Sequence, residues 1–292
     1  MPFRHAVVIA NPVAGRGRAR SEAERLAHGL GSVGIRSEVG FTEGRGDAAR
    51  RARELDADAD LVVSVGGDGK LGEVLEGLDG RDVPVALLPV GTANVLSLDL
   101  GLPRDVAGAV AMIERGRTTR IDTARVNGDR LSFLVTGIGF DGMAVHEVEA
   151  RRRGPISKSS YLSAGMRALS RYEPPRLEVE VDGKKLEGSY AEVIVSNIVH
   201  YAGFRVLSRD RELDDGIFEV YLFRKGSLAS LLGYGLRALA FGLPGGTCTR
   251  VRARVVRVTS PTPVACQVDG DAHGETPVEI AVHPVQSRLV VP

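Results

Sequence analysis

The residues best suited to chemistry in this chain sit in three glycine-bearing segments. The first reads Leu61-Val62-Val63-Ser64-Val65-Gly66-Gly67-Asp68-Gly69, a buried-type strand running into a glycine turn and then a helix over Lys70–Leu78. Glycines let the backbone approach a phosphate closely with N–H groups pointing inward, and a helix N-terminus adds a favourable partial charge. Asp68 would then face a nucleotide; the alternative is an ordinary strand-turn-helix with Asp68 as a cap. The second segment, Pro89-Val90-Gly91-Thr92-Ala93-Asn94, offers a hydroxyl and an amide suited to phosphate or ribose, or else a Pro-Gly turn with Asn94 capping the next helix. The third, Asn11-Pro12-Val13-Ala14-Gly15-Arg16-Gly17, has the same logic with basic residues near a helix start.

These segments need strands to hold them. From Ala6 to Ile121 short apolar runs alternate with helical ones: strands at 6–10, 35–40, 60–65 and 84–88, helices at about 18–31, 46–55 and 70–78. Such alternation predicts a parallel sheet covered by helices on both faces. The three glycine loops then follow strands on one edge, where ligands of open α/β sheets collect. After about Asp122 the texture changes. Leu131–Thr136, Leu177–Val181, Ala191–Ser196, Ile217–Phe223, Arg250–Val258 and Val278–Val282 are short, often alternating and separated by Gly, Asp and Pro, which predicts a mostly antiparallel β domain with helical insertions near 143–171 and 227–241.

Length and composition set the outer bounds. At 292 residues the chain is expected to form two globular units. Its 36 glycines stand above the average usage of about 7%, as many tight turns require. Lys plus Arg (38) nearly balances Asp plus Glu (37), so no global charge draws the chain to nucleic acid. Cys248 and Cys266 form no metal-binding spacing with the six histidines and read as free thiols of a reducing, cytoplasmic compartment. The N-terminal apolar run Ala6–Ala10 is too short for a signal peptide, and no run reaches the roughly 18 apolar residues of a membrane span.

Asn11-Pro12…Gly15, Gly66-Gly67-Asp68-Gly69 and Pro89-x-Gly91-Thr92-x-Asn94 occur in the order and at the spacings of the diacylglycerol kinase catalytic domain, which the chain resembles. The resemblance continues through Gly137-Ile138-Gly139-Phe140-Asp141, Asn197…Tyr201-Ala202-Gly203, Leu213-Asp214-Asp215-Gly216 and Asp269-Gly270-Asp271, and so spans nearly the whole sequence. It implies a Rossmann-like three-layer α/β domain of the NAD kinase and phosphofructokinase kind over 1–122, rejoined by about 283–292, and a C-terminal antiparallel β-sandwich over 123–282 that takes the lipid. The implied activity is ATP-dependent phosphorylation of diacylglycerol or a related long-chain alcohol at a membrane surface. A catalytically weak lipid- or nucleotide-binding member, or an NAD kinase-like enzyme with a soluble substrate, are the alternatives.

Carried over position by position, the resemblance places Asn11, Pro12, Val13, Ala14, Gly15, Thr42, Gly66, Gly67, Asp68, Gly69, Lys70, Gly72, Thr92 and Asn94 around ATP. It assigns a structural Mg²⁺, held by an acidic side chain and neighbouring backbone carbonyls, to Asp215 with Glu212 and Ile217, although Asp-Asp-Gly before a strand is also a good hairpin turn. The mechanism asks for a base near the lipid hydroxyl and a divalent ion on the transferring phosphoryl group. Asp271 is favoured as base, with Asp68 near the phosphates and the catalytic Mg²⁺; sphingosine kinases point instead to Asp68. Four positions depart from the family pattern: Lys70 for Thr, Gly72 for Asn, Val95 for Asp and Asp271 for Glu. The shorter Asp271 sets its carboxylate about 1.5 Å further back, and Lys70 either meets the phosphates or marks a solvated helix start.

A literal G-x-G-x-x-G spans Gly137–Gly142, but no acidic residue follows about 20 positions later, so a dinucleotide site is set aside. The resemblance makes this segment a turn beside the lipid cleft. Two segments suit a bilayer: the basic cluster Arg151–Lys158, and the leucine-rich Leu228–Leu243, long enough for a helix and too short to span. Their alternatives are a solvated loop and a core-packed helix. Arg250, Arg252 and Arg254 read as a structural strand face, and the histidines, including His273, as surface or core residues. A homodimer is left open.

Overall fold

The computed structural model describes residues 2–151, 172–201, 204–205, 207 and 212–292. The chain divides into two compact units, Met1–Ile121 with Val285–Pro292, and Asp122–Pro284.

The first unit is a parallel sheet with helices between its strands. β1 (His5–Ala10), α1 (Arg18–Ser32), β2 (Arg36–Phe41), α2 (Asp47–Arg53), β3 (Leu61–Gly66), α3 (Asp68–Gly77), β4 (Val85–Pro89), α4 (Val95–Asp99), α5 (Val106–Arg115) and β5 (Thr118–Ile121) follow in order. The strand order is β2-β1-β3-β4, then the C-terminal strand Ser287–Val290, then β5; β1 to β4 run parallel, and β5 lies antiparallel to the C-terminal strand. β3 and β4 are buried along their full lengths, as a sheet covered on both faces demands. α1 turns Ala19, Ala23, Leu26 and Leu30 inward, a helical repeat of one apolar face. Because the order reverses between β1 and β3, the loops after these two strands open at the switch point where such sheets bind ligands.

The second unit is built on two six-stranded antiparallel sheets. One runs Lys184–Lys185, Glu178–Val181, Val255–Thr259, Val278–Val282, Ala124–Val126, Arg130–Ser132; the other runs Cys248–Ala253, Phe218–Phe223, Glu192–Ser196, Val135–Ile138, Ala265–Val268, Asp271–Glu275. Their inward residues, among them Val126, Ile138, Val193, Val220, Val256, Cys266, Val268 and Ile280, form one buried core. The helices Phe140–Ala150 and Leu228–Phe241 interrupt the β order.

Two stretches that the sequence predicts as single strands are each divided between the sheets. Leu131–Thr136 breaks because the Asp269 carboxylate accepts the N–H groups of Phe133, Leu134 and Val135 at 3.0, 3.0 and 2.9 Å. Arg250–Val258 breaks at Arg254, where Asp182 Oδ1 accepts the N–H groups of Arg254 and Val255 at 3.0 and 2.8 Å. In both places a distant carboxylate takes donors that a continuous ladder would have used, so the chain leaves one sheet and enters the other.

Candidate functional site

In the first unit the three glycine segments meet. Asn11 N–H donates to Val65 O at 3.1 Å, and the N–H groups of Val90 and Gly91 both donate to Gly66 O at 2.9 and 3.2 Å. A Cβ added to Gly91 would lie 2.5 Å from Gly67 Cα, one added to Gly15 2.8 Å from Val90 O, and one added to Gly67 3.3 Å from Gly91 Cα. Gly15, Arg16 and Gly17 are all left-handed, with φ of 60°, 61° and 88°, and turn the chain into α1. Neither α1 nor α3 has a side-chain cap at its N-terminus; the Arg18 and Lys70 N–H groups turn back on the preceding loops, and the remaining first-turn donors are of the kind that meets an anion. Val13 is exposed between Pro12 and Ala14, its N–H donating to Asn11 Oδ1 at 3.2 Å. Thr42 is buried at the end of β2, with its N–H on Ala10 O at 2.9 Å.

Four polar side chains finish this part of the site. Asn94, itself left-handed at φ 48°, donates to Gly91 O at 2.8 Å, while its buried Oδ1 has no hydrogen-bond partner and faces Gly91 and Gly67. Asp68 accepts the N–H groups of Val95 and Leu96 at 2.9 and 3.4 Å, capping α4 from the start of α3, and burial raises its pKa. Lys70 is 8% exposed and pairs with Glu73 at 2.9 Å; Glu73 also accepts Ala48 N–H at 3.2 Å. Its ammonium is thus held by Glu73 within α3, whose carboxylate in turn reaches α2, and Lys70 itself is buried beside the exposed Gly69. Gly69 and Gly72 lie in α3, and Thr92 in the loop before α4. A cradle with no space for Cβ atoms, an orphaned buried acceptor and two uncapped helix ends fit a polyphosphate such as ATP.

In the second unit, Asp271 opens the strand after the turn Asp269-Gly270, whose φ values are 52° and 88°. Gly270 N–H donates to Gln267 Oε1 at 2.8 Å and Ala272 N–H to Glu149 Oε2 at 3.1 Å. The Asp271 carboxylate is 34% exposed and lies 3.1 Å from Arg130 Nη2. Ser132 Oγ adds a fourth donor to Asp269, at 3.1 Å; burial nevertheless pushes this carboxyl up to about 6.

Next to that turn lies a polar network that joins Asp141 and Tyr201, both in motifs quoted above, to Glu192 and Gln267, which no spacing singled out. Glu192, 5% exposed, accepts the N–H groups of Phe140 and Asp141 at 2.7 and 3.0 Å. Asp141 in turn accepts from Tyr201 Oη and, at 2.8 Å, from Gln267 Nε2. Burial raises the pKa of both carboxyls, and the Asp141 charge adds to the effect on Glu192. The helix N-terminus after Gly137-x-Gly139 is therefore filled by the protein's own carboxylate, and a Cβ on Gly142 would collide with the Ala265 carbonyl. These glycines serve packing.

At the turn assigned to a cation, both oxygens of the Asp215 carboxylate are engaged within the protein. Asp215 Oδ1 accepts Ile217 N–H at 3.1 Å, and Oδ2 is held by the Arg252 guanidinium; Glu212 is exposed. The turn is closed by Asp122, whose carboxylate accepts Gly216 N–H at 2.6 Å. Among the described residues no group of three or more His, Cys, Asp or Glu side chains is arranged to hold a metal ion. Arg250 and Arg252 meet Glu219 at 3.2 and 3.3 Å on the neighbouring strand. His146 donates to Cys266 O at 2.9 Å. Both cysteines are free and buried. Arg151 pairs with Glu147 at 2.8 Å; the rest of the basic cluster, 152–158, lies outside the described residues, as do Ala202 and Gly203. No described helix is long and apolar enough to cross a membrane.

Comparison with known proteins finds two family models that follow one another along the chain. The family model of the diacylglycerol kinase catalytic domain matches residues 5–126, and that of the YegS C-terminal NAD kinase beta sandwich-like domain matches residues 135–291. A diacylglycerol kinase of Bacillus subtilis (strain 168) is 28% identical over 283 residues, 95% of this chain and 93% of the relative. One of Staphylococcus aureus (strain bovine RF122 / ET3-1) is 26% identical over 279 residues, 94% of this chain and 88% of the relative. The solved structure of a diacylglycerol kinase from Bacillus anthracis str. Sterne superposes with a TM-score of 0.77 at 20% identity, covering 100% of this chain and 98% of the other, which establishes the shared fold. With matched segments at 5–126 and 135–291, the chain belongs to the family that joins a diacylglycerol kinase catalytic domain to a YegS-type β-sandwich domain.

Proposed function

We propose that this protein is an ATP-dependent lipid kinase that transfers the γ-phosphoryl group to the hydroxyl of diacylglycerol or a related long-chain lipid alcohol, working in the cytoplasm at a membrane surface. The observation that carries the reading is the meeting of three glycine segments around Gly67 and Gly91, with the orphaned Asn94 Oδ1 beside them. Phosphoryl transfer needs little covalent work from a protein; it needs positioning and charge. Residues 11–15, Thr42, 66–69, Gly72, Thr92 and Asn94 hold the triphosphate and sugar, the buried Lys70 staying paired with Glu73, and Mg²⁺ enters with ATP as part of the co-substrate. Asp68 acts through its caps on α4, which fix the Thr92–Asn94 loop. Asp271 takes the proton from the acceptor hydroxyl as that oxygen attacks phosphorus and the bond to ADP breaks.

The test is transfer of labelled phosphate from ATP to a panel of lipid alcohols in mixed micelles, with Asp271→Asn and Asp68→Asn beside the parent protein. A positioned base contributes about 10²–10⁴-fold, so Asp271→Asn is expected to lose most turnover while still binding ATP. Asp68→Asn keeps an acceptor for Val95 N–H and is expected to retain measurable turnover. Absence of transfer to every lipid, where a known diacylglycerol kinase works in parallel, would sink the reading.

A further inference from the structure

The Leu228–Phe241 helix exposes an apolar surface that neither core accounts for. Leu228, Leu232, Leu236, Leu239 and Phe241 are 52, 56, 71, 61 and 82% exposed. The four leucines recur at spacings of four, four and three, which at about 100° per residue places them within one arc of roughly 80°. Only Ala238 of this helix is buried. The opposite side is fixed to the unit: Tyr234 packs edge-on against Phe223, with ring centroids 4.9 Å apart, and its hydroxyl bonds Thr247. The leucine ridge is thus rigidly presented outward.

Charge identifies the occupant. From Val220 to Val268 the sequence has no Asp or Glu, while Arg224, Lys225 and Arg237 flank or lie on the helix, all three exposed. An apolar ridge with three exposed cations beside it, in a stretch of sequence without a carboxylate, matches a bilayer with anionic headgroups, where such helices sink about 5–10 Å and basic side chains meet the surface charge. A second copy of the chain fits less well. Fourteen residues make a ridge about 21 Å long, and with a width of about 10 Å it offers roughly 200 Å², against about 800 Å² per partner in a stable interface.

We propose that the Leu228–Phe241 ridge is the surface by which this protein lies on an anionic lipid bilayer. The proposal rests on the lipid kinase reading for its purpose, since a diacylglycerol sits in the membrane plane, and can be separated from it by experiment. The full chain is sedimented with vesicles of phosphatidylcholine alone or containing phosphatidylglycerol, and turnover is measured on diacylglycerol in those vesicles and on a short-chain diacylglycerol dispersed as monomers. The parent protein is expected to bind the anionic vesicles, more weakly at high salt. Leu236→Gln/Leu239→Gln, at exposed positions, is expected to lose about tenfold or more in vesicle affinity. It should lose turnover on vesicle substrate in step, with turnover on the monomeric lipid and the circular dichroism spectrum unchanged. Unchanged vesicle binding by the double variant overturns the proposal, and so does a parent dimer that the substitutions convert to monomers without affecting vesicle affinity. A parent protein that binds vesicles through this ridge but phosphorylates neither lipid supports the docking surface and overturns the kinase reading instead.

Discussion

Arg130 Nη2 lies 3.1 Å from Asp271 Oδ2, so the carboxylate proposed as base is held in place by a cation on the edge strand of the other sheet. A base must be both free to accept a proton and fixed within about 2.6–3.2 Å of the hydroxyl it serves. The guanidinium supplies the fixing and still leaves Asp271 a third exposed. Arg130→Gln is therefore expected to lower turnover by about tenfold, less than Asp271→Asn, and the double variant to be no slower than Asp271→Asn alone. Such non-additivity marks residues acting through one another. If the two losses multiply in steady-state kinetics, Arg130 acts elsewhere.

Gly91 and Gly67 touch backbone to backbone. The 2.5 Å separation that a Cβ on Gly91 would have from Gly67 Cα has no flexible side chain to absorb it, so Gly91→Ala must move one phosphate loop against the other. Overpacking of this kind costs about 1–3 kcal/mol. Chemical denaturation should show that loss, and the stabilisation that ATP gives the parent protein should disappear in thermal melts. Gly67→Ala, at 3.3 Å, should weaken both effects less. Equal ATP stabilisation in all three proteins would dissociate these glycines from the nucleotide.

Asp269 gives a pH dependence with a definite sign. Its carboxyl is pushed up to about 6 by burial, whereas in the unfolded chain it titrates near 3.8. Between these values the folded protein holds a proton that the unfolded chain has released, so this group's contribution is full below pH 3.8 and is lost as pH rises to about 6. Two pH units correspond to roughly 2–3 kcal/mol. Asp269→Asn removes that slope, and it also loses part of the four-donor set from Ser132, Phe133, Leu134 and Val135, costing about 1–3 kcal/mol at any pH. Urea melts at pH 4 and 6.5 should show the parent losing more stability over the interval than Asp269→Asn. An identical slope in both proteins refutes the assignment.

The alternation of strands and helices in the first unit was readable because β3 and β4 are buried whole and each glycine loop follows a strand, so local pattern and final structure coincide at 61–69 and 85–94. The second unit was less legible. Asp182 and Asp269 cut two apolar runs by taking backbone donors from segments more than 70 and 130 residues away, and no local pattern encodes such a contact. Lys70 misled for a related reason: its partner Glu73, one turn along the helix, was visible, but the burial that makes the pair structural was not. Asp141 was visible as part of a motif, but its partner Glu192 gave no signal, since it reaches the N–H groups of Phe140 and Asp141 from a strand about 50 residues away, aligned with them through the sheet register Val193↔Ile138.

The turn at Asp215 tests whether a guanidinium stands in for a structural cation. Arg252 reaches both Asp215 and the 2% exposed Glu219, and Glu219 also meets Arg250 at 3.2 Å. Two carboxylates close to each other would repel unless a positive charge intervened, and here the chain supplies it. Magnesium ions without nucleotide are therefore expected to leave the melting temperature of the parent protein unchanged, and a chelator likewise. Arg252→Ala should be destabilised by about 1–3 kcal/mol, below the cost of breaking a fully buried pair because the arginine is 47% exposed. In that variant a divalent cation can approach the vacated Asp215 oxygen, so millimolar Mg²⁺ should recover part of the lost stability. A parent protein whose melting temperature rises by several degrees on adding Mg²⁺ alone would place a resident cation at the turn and displace Arg252 from this role.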